Sequence, residues 1–403
     1  MGPSLAAAVL PKGFRFACRA CGLKKHGLDL GLIVSETPAS AACVFTTNLV
    51  KAAPIVISQQ HLLRSAGKMR AIIVNSGNAN CVTGAAGLVA SNQTAAALAR
   101  AMNCRTEQIL VCSTGVIGLP LRVERILRAI PKLAAEVAAA SRSFEQFTRA
   151  IMTTDTRPKW AAASCFVDGK RVHLLGCAKG AGMIHPQMAT MLSFIVTDAA
   201  VSPPALRRAL REAVAGSFNA ITVDGDTSTN DTLAVLANGA SGTRNIRPAG
   251  ADYRKFLAAL GSVCRSLALQ IVADGEGAHR VVEIEVRGAA SDRGADAIAR
   301  TIANSPLVKT ALAGGDPNWG RILAAAGRAG VRFDPDRAEI RMAGVTMCRS
   351  GRPVPFDEKT AHRKLLAKEV PIAVNLHGGR GSARIWTCDF TGDYVRINAS
   401  YRS

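Results

Sequence analysis

Residues 179–198 read Lys179-Gly-Ala-Gly-Met-Ile-His-Pro-Gln-Met-Ala-Thr-Met-Leu-Ser-Phe-Ile-Val-Thr-Asp198 and lie near the middle of a 403-residue chain. The stretch opens on Lys179-Gly180-Ala181-Gly182, which follows no periodic pattern and reads as a loop. It passes His185-Pro186 and the methionines Met183, Met188 and Met191, then enters an apolar run at 192–196 with the composition of a buried strand. Thr190 stands at the junction, behind the small residue Ala189. A hydroxyl at the mouth of a buried strand, after a glycine-rich loop, sits where a bent backbone lets a side chain attack its own preceding carbonyl. Glycines tolerate the dihedral angles this needs, and such strain collects at functional sites. Read locally, Thr190 is equally an ordinary strand residue, because threonine has good strand propensity.

Upstream, short apolar runs alternate with polar turns. Residues 30–34, 42–45, 55–57 and 71–74 read as strands. The last runs into Asn75-Ser-Gly-Asn-Ala-Asn80, a polar cluster of the kind that either gathers binding groups or merely turns the chain. Residues 86–101 have helical period and propensity. A strand at 109–112 leads into Ser113-Thr-Gly-Val-Ile-Gly118. A strand that ends in Ser-Thr-Gly presents a hydroxyl beside a backbone N–H, the pair of donors that an oxyanion needs at about 3 Å; it also serves as a plain turn. A helix at 123–140 precedes Met152-Thr-Thr-Asp-Thr156, a polar segment before Pro158. Residues 161–175 are strand-rich.

Downstream, Ser202 caps a helix that starts at Pro203-Pro204. Asp224-Gly-Asp-Thr-Ser-Thr-Asn-Asp-Thr232 groups three carboxylates but lacks the closing glutamate of a calcium loop, so it reads as a metal-free polar support. A helix at 253–267 and a strand at 267–272 end in Ala273-Asp-Gly-Glu-Gly277. Glu276, between two glycines, is placed to bind an ammonium group or to face solvent in a turn. A strand at 281–286, a helix at 296–304, the string Gly314-Gly-Asp-Pro-Asn-Trp-Gly-Arg321 and a β-rich tail at 331–397 complete the chain, which ends Ile397-Asn-Ala-Ser-Tyr-Arg-Ser403.

The length predicts two to three domain-sized units. Hydrophobic residues are 48% of the chain but aromatics only 4%, so the core is aliphatic. The net charge of +21 comes from dispersed Lys and Arg without interleaved aromatics, which argues against nucleic-acid binding and in favour of attracting anionic substrates. With no apolar run of ~18 residues and no signal segment, the chain reads as cytoplasmic, with reduced thiols and no membrane partner. Cys18-Arg-Ala-Cys21 is a lone CxxC; Cys43 or His26 would have to complete a zinc site, and two small buried thiols are the simpler reading.

The run from Lys179 to Leu192 resembles the self-cleavage segment of the ornithine acetyltransferase family, the glutamate N-acetyltransferases of arginine biosynthesis. Pro11-Lys-Gly-Phe14, Phe45-Thr-Thr-Asn48 and the strings at 75–80, 113–118, 152–156, 224–232 and 314–321 are also similar to that family, in its order, over essentially the whole chain. The departures are the high charge and Cys18, Cys21 and Cys43, where small residues are expected. The resemblance implies an α/β fold of the α+β type, a layered sandwich with helices packed outside mixed β-sheets in two lobes. It implies self-cleavage between Ala189 and Thr190. The products are an α chain, 1–189, with the oxyanion-hole and glycine-rich loops, and a β chain, 190–403, with Thr190 at its N-terminus and a substrate-binding tail.

By the same resemblance Thr190 is the nucleophile, Thr114 and Gly115 form the oxyanion hole, and Thr153, Lys179, Thr190, Glu276, Asn398 and Ser403 bind substrate. The implied reaction moves the acetyl group of N2-acetyl-L-ornithine to L-glutamate through an acetyl-Thr190 intermediate. The freed α-amine of Thr190, with an unperturbed pKa of roughly 8, activates its own hydroxyl. No cofactor or metal is bound. Acetyl-coenzyme A enters as a candidate co-substrate, and two α and two β chains form a heterotetramer. The second reading is an aminopeptidase or amidohydrolase with an N-terminal nucleophile, which would hydrolyse peptides without transferring acetyl groups. A third, a basic binding protein, predicts an intact chain and salt-sensitive affinity for nucleic acid.

Overall fold

Strand β1 (Phe14–Arg19) pairs antiparallel with the first part of β2 (Leu30–Phe45), and the last part of β2 pairs with a strand from much later in the chain. The two short runs expected at 30–34 and 42–45 are therefore one strand. Its pairing with β3 (Lys68–Asn78) breaks between Val34 and Ala39, and Pro38, which has no N–H to give, lies in that gap. The structure, a computed structural model, describes residues 9–185 and 191–400.

The described chain divides into two compact units. The first comprises Met1–Gly180, Gln187–Asn219 and Asp226–Ala268. Its remaining elements include α1 (Ala53–Arg64), α2 (Gly84–Ala101), β4 (Ile109–Val116), α3 (Val123–Ala135), α4 (Ser141–Ala150), β5 (Lys159–Val167), β6 (Lys170–Lys179), β7 (Leu192–Thr197), α5 (Pro203–Ala215) and β8 (Thr232–Ala237). One mixed sheet runs in the order β4-β3-β2-β8-β7-β6-β5, with β1 beside β2. Alternate residues of β2 and β3 serve two cores. Ile33, Ile72 and Val74 pack with Phe144 and Phe147 of α4; Leu32, Ala71 and Ile73 pack with Leu98 of α2 and with Ile126 and Ile130 of α3. Helices thus cover both faces.

Several local expectations are corrected. Residues 55–57 are helical, inside α1, which has a proline in its first turn. A three-residue apolar run shows no period, and the helix becomes legible only with Ile55, Ile57, Ser58 and His61 all buried. The helix expected at 123–140 stops at Ala135, and a second one starts at Ser141. The expected helix and strand at 253–272 are one helix, α6 (Gly250–Ala273). It is the one described helix long and apolar enough to cross a membrane, with mean hydropathy 1.7 over its most apolar window, half of which is buried. Val263 and Leu267 of α6 pack against Gly176 of β6, where even a Cβ would crowd them, which marks a core helix.

The second unit comprises Ala181–Pro186, Ala220–Gly225 and Leu269–Ser403. Its six-stranded mixed sheet contains β9 (Val281–Ala289), β10 (Glu339–Met342), β11 (Val345–Arg349), β12 (Arg352–Pro353), β13 (Glu369–Asn375) and β14 (Gly381–Cys388), in the order β12-β11-β10-β13-β9-β14. Helix α7 (Asp292–Ala303), capped by Ser291, lays Ala295, Ile298, Ala299 and Ile302 on β9 and β14. Helices α8 (Pro306–Gly314), α9 (Trp319–Gly327), α10 (Glu358–Leu365) and α11 (Gly392–Ala399) follow, so the tail is not purely β.

These compact units are a different division from the expected cut at 189/190. Strands β7 and β8, which follow that bond, are interior strands of the first sheet: β7 pairs with β6, and β8 with β2. Once cut there, the two products are expected to remain one particle, because separating them tears two β-ladders out of a buried core. Size-exclusion chromatography in native buffer, compared with denaturing electrophoresis of the same peak, checks this; two separately eluting fragments would contradict it.

Candidate active site

The register of β6 and β7 places Lys179 opposite Leu192. Lys179 thus ends β6 beside the residue that starts its neighbour β7. Lys179 is buried and its Nζ donates to Thr114 Oγ1 at 3.0 Å. With its oxygen held by a cation, the Thr114 hydroxyl keeps its own hydrogen to donate, and polarisation through the ammonium strengthens that donor.

Thr114 and Gly115 were expected just after a strand; they lie within β4, as Asn75 to Asn78 lie within β3. The parallel β3–β4 pairing slips at Gly77/Asn78, so that Asn78 faces both Thr114 and Val116. Bulges of this kind re-aim backbone groups beside active sites. Gly115 has φ of +133°, and a Cβ there would lie 2.3 Å from the Gly77 carbonyl carbon, so no other residue fits. The asparagines of 75–80 support this bulge. Asn75 Oδ1 accepts the Ser113 hydroxyl at 2.6 Å, its Nδ2 donates to Asn78 O at 2.9 Å, and Asn230 Nδ2 donates to the carbonyls of Ala79 and Ser113 at 2.7 and 2.9 Å.

Thr153 follows α4, and its N–H donates to Asp155 Oδ2 at 3.0 Å. Asp155 Oδ1 accepts the Gly180 N–H and the Lys159 Nζ, each at 2.6 Å. Both side chains of the Asp155–Lys159 pair are fully buried. Burial by itself pushes the Asp155 carboxyl up, but Lys159, Lys179 and the Gly180 N–H outweigh it and hold the carboxyl at about 2. Asp155 therefore joins the Thr153 segment to the residue after Lys179. Sequence reading did not single out Asp155 or Lys159; the available signal was a lysine opening an otherwise apolar strand, four residues after an aspartate.

In the second unit Glu276 follows α6 rather than a strand. It is buried, its N–H donates to Ala181 O at 2.9 Å, and its Oε2 accepts Asn398 Nδ2 at 2.7 Å. Gly182 lies so close that a Cβ would be 2.3 Å from Glu276 Oε2, which accounts for the glycine. Asn398 sits on α11, and that helix is joined to the Glu276 loop a second time by Thr391 Oγ1, which donates to Gly277 O at 2.7 Å. Asp224 accepts the N–H groups of Met183 and Ile184, the latter at 2.9 Å, so this carboxylate holds the glycine loop.

Thr114, Gly115, Thr153 and Lys179 are thus linked within the first unit, and Glu276 and Asn398 within the second. Ala189, Thr190 and Ser403 lie outside the described residues. The CxxC turn is organised around Asp29, whose carboxylate accepts the N–H groups of Cys21, Leu23 and Lys24 at 2.6, 2.6 and 3.0 Å. Burial pushes the Cys18 and Cys21 thiols up to about 11 and about 12, so both are protonated at neutral pH.

A model of the ArgJ family matches residues 15–403. The arginine biosynthesis bifunctional protein ArgJ of Symbiobacterium thermophilum is 48% identical over 396 residues, 98% of each chain. A crystal structure of arginine biosynthesis bifunctional protein argJ from Bacillus halodurans is 44% identical, with a TM-score of 0.50, over 52% of this chain and 98% of that one. An ornithine acetyltransferase from Mycobacterium tuberculosis, crystallised with ornithine, is 34% identical over 45% of this chain and 94% of that one, with a TM-score of 0.39.

Proposed function

The chain belongs to the ArgJ family, and on that premise we propose that it is an arginine-biosynthesis acetyltransferase that cuts itself before Thr190 and uses that threonine as its nucleophile. The acetyl group of N2-acetyl-L-ornithine passes to Thr190 Oγ, L-ornithine leaves, and L-glutamate takes the acetyl group in a ping-pong cycle. The observation that carries this reading is the bulged Thr114–Gly115 pair of β4, whose hydroxyl is held by Lys179, the residue of β6 that pairs with Leu192 at the start of β7. Those two donors stabilise the tetrahedral oxyanion. The α-amine freed by the cut serves as base. Thr153, Lys179, Glu276, Asn398 and Ser403 hold the substrate, with the carboxylate of Glu276 suited to its ammonium end.

Acetyl-coenzyme A fits as the second acetyl donor, in keeping with the bifunctional names of the relatives. The Bacillus halodurans chain spends 98% of its own length on 52% of this one, as one product of such a cut would. We take the assembly to be a cytoplasmic α2β2 heterotetramer. The test is to expose purified protein to N-acetylornithine without glutamate, quench with acid and weigh the fragments. One acetyl group is expected on the fragment beginning Thr-Met-Leu-Ser, and glutamate should remove it as N-acetylglutamate. Release of free acetate or of amino acids from peptides, with no transfer to glutamate, would place the chain with the hydrolases instead.

A further inference from the structure

A cavity of about 650 Å³ in the second unit is lined in part by Glu285 and Arg287 of β9 and by His377, Gly379 and Arg380 of the turn into β14. Side chains alternate along β9: Val282, Ile284 and Val286 are buried, so Glu285 and Arg287 stand on the opposite face. The other end of β9 belongs to the Glu276 loop. There Val281 pairs with Cys388, next to Asp389, whose carboxylate accepts the His279 N–H at 2.8 Å. The strand from Val281 to Gly288 separates the two places, a length of about 23 Å.

The turn from β13 into β14 reads Leu376-His-Gly-Gly-Arg-Gly381 and is pressed onto the end of β9. The Leu376 N–H donates to Arg287 O at 2.9 Å and the Gly378 N–H to Gly288 O at 2.7 Å. A Cβ at Gly379 would lie 2.4 Å from Ala289 O, so no side chain fits there. Just beyond the turn, the Ser382 N–H donates to Asp292 Oδ1 at 2.8 Å. Pinned in this way, the turn still has donors to spare. Among the described residues the N–H groups of Gly379 and Arg380 have no acceptor, and the His377 ring and the Arg380 guanidinium have no partner. All three residues are exposed. The carboxylate in the lining, Glu285, is already paired with Arg287 at 2.8 Å and Arg384 at 2.9 Å.

We propose that this cavity binds the phosphate groups of a small anionic ligand, at a site remote from the Glu276 loop. Two arginines already offset the charge of Glu285, so Arg380 leaves the cavity with positive charge in excess. A guanidinium fork beside free backbone N–H groups suits the several oxygens of a phosphate better than the two of a carboxylate. The turn is fixed before any ligand arrives, so binding orders little chain and loses little to conformational entropy. The net charge of +21 attracts anions to the surface at large, and the cavity selects among them. The site stands on residues of the second unit alone and is independent of the Thr190 reading.

The test is equilibrium dialysis of the purified full chain against radiolabelled pyrophosphate and, separately, radiolabelled ADP, in chloride buffer free of phosphate. Wild type, Arg380→Ala and Arg380→Lys are compared, with circular dichroism confirming the fold of each. Wild type should bind one pyrophosphate per chain with Kd below about 1 mM. Arg380→Ala should weaken binding roughly tenfold or more, because a charge-assisted contact is lost. Arg380→Lys keeps the charge without the fork and should weaken it less. ADP bound more tightly than pyrophosphate would assign the site to a nucleotide, and the reverse order to a free phosphate anion; either supports the proposal. No saturable binding of either probe overturns it, as does a folded Arg380→Ala that binds like wild type. Succinate that displaces pyrophosphate as well as unlabelled pyrophosphate does would show general attraction of anions and also overturns it.

Discussion

Replacing Thr190 by alanine is expected to leave the chain at its full 42.1 kDa and to abolish acetyl transfer. One hydroxyl is assigned both tasks: it attacks the Ala189 carbonyl once, then carries the acetyl group in every later cycle. Without it no amine is freed to act as base, and no acyl-enzyme forms. Loss of a hydroxyl nucleophile lowers turnover on the order of 10⁴-fold or more, even where the oxyanion donors survive. Lys179, Thr114 and Gly115 are untouched by the change, so residual substrate binding is expected with no turnover. Denaturing mass measurement should show wild type as two fragments of roughly 20 and 22 kDa by proportion of chain length, the larger beginning at Thr190. Thr190→Ser keeps a hydroxyl and should both cut and turn over, more slowly. An alanine variant that still cuts at this bond would assign the cleavage to an outside protease.

Replacing Asp155 by alanine is expected to cause the largest loss of stability of any single change at the site. The Asp155–Lys159 pair is fully buried at 2.6 Å, and the same carboxylate accepts the N–H groups of Thr153 and Gly180. Removing one partner of a buried pair leaves the other charge without compensation, which costs about 3–5 kcal/mol. For a unit of this size that lowers Tm by roughly 6–10 °C. The pH dependence follows from the depressed carboxyl, about 2 in the folded chain against an ordinary 3.8. The contribution is fully present above the ordinary value and is lost as pH falls from there towards 2, in total about 2 kcal/mol. Thermal melts between pH 2 and 7 check both points. Wild type should lose stability steeply below pH 4, and Asp155→Ala should lose less over that range because its carboxyl is already gone. Equal acid slopes in the two proteins would place the sensitivity elsewhere.

The long helices α2 and α5 and the buried strand β7 were legible in the sequence, because each carries a period or an apolar run longer than its neighbours can disguise. The strings around 114, 153, 179 and 276 stood out as candidate chemistry only through the family resemblance, because read locally each also serves as a plain turn or strand end. Boundaries were less legible. The polar ends of β3 and β4 resemble loops by composition, and they stay in the sheet because Asn230, 117 residues beyond Ser113 and 151 beyond Ala79, satisfies their carbonyls. Residues 55–57 are helical because α1 has a core to bury its whole apolar stripe in, which a three-residue run does not reveal. Asp155 and Asp231 are both aspartates in polar stretches, yet two lysines hold the first carboxyl down while burial pushes the second up. The sequence by itself determined the family and, through it, which residues are candidates for the chemistry, since reactivity belongs to side-chain type. The tertiary structure alone decided their protonation and their position, since both depend on partners far apart in the chain and on how much water the packing excludes.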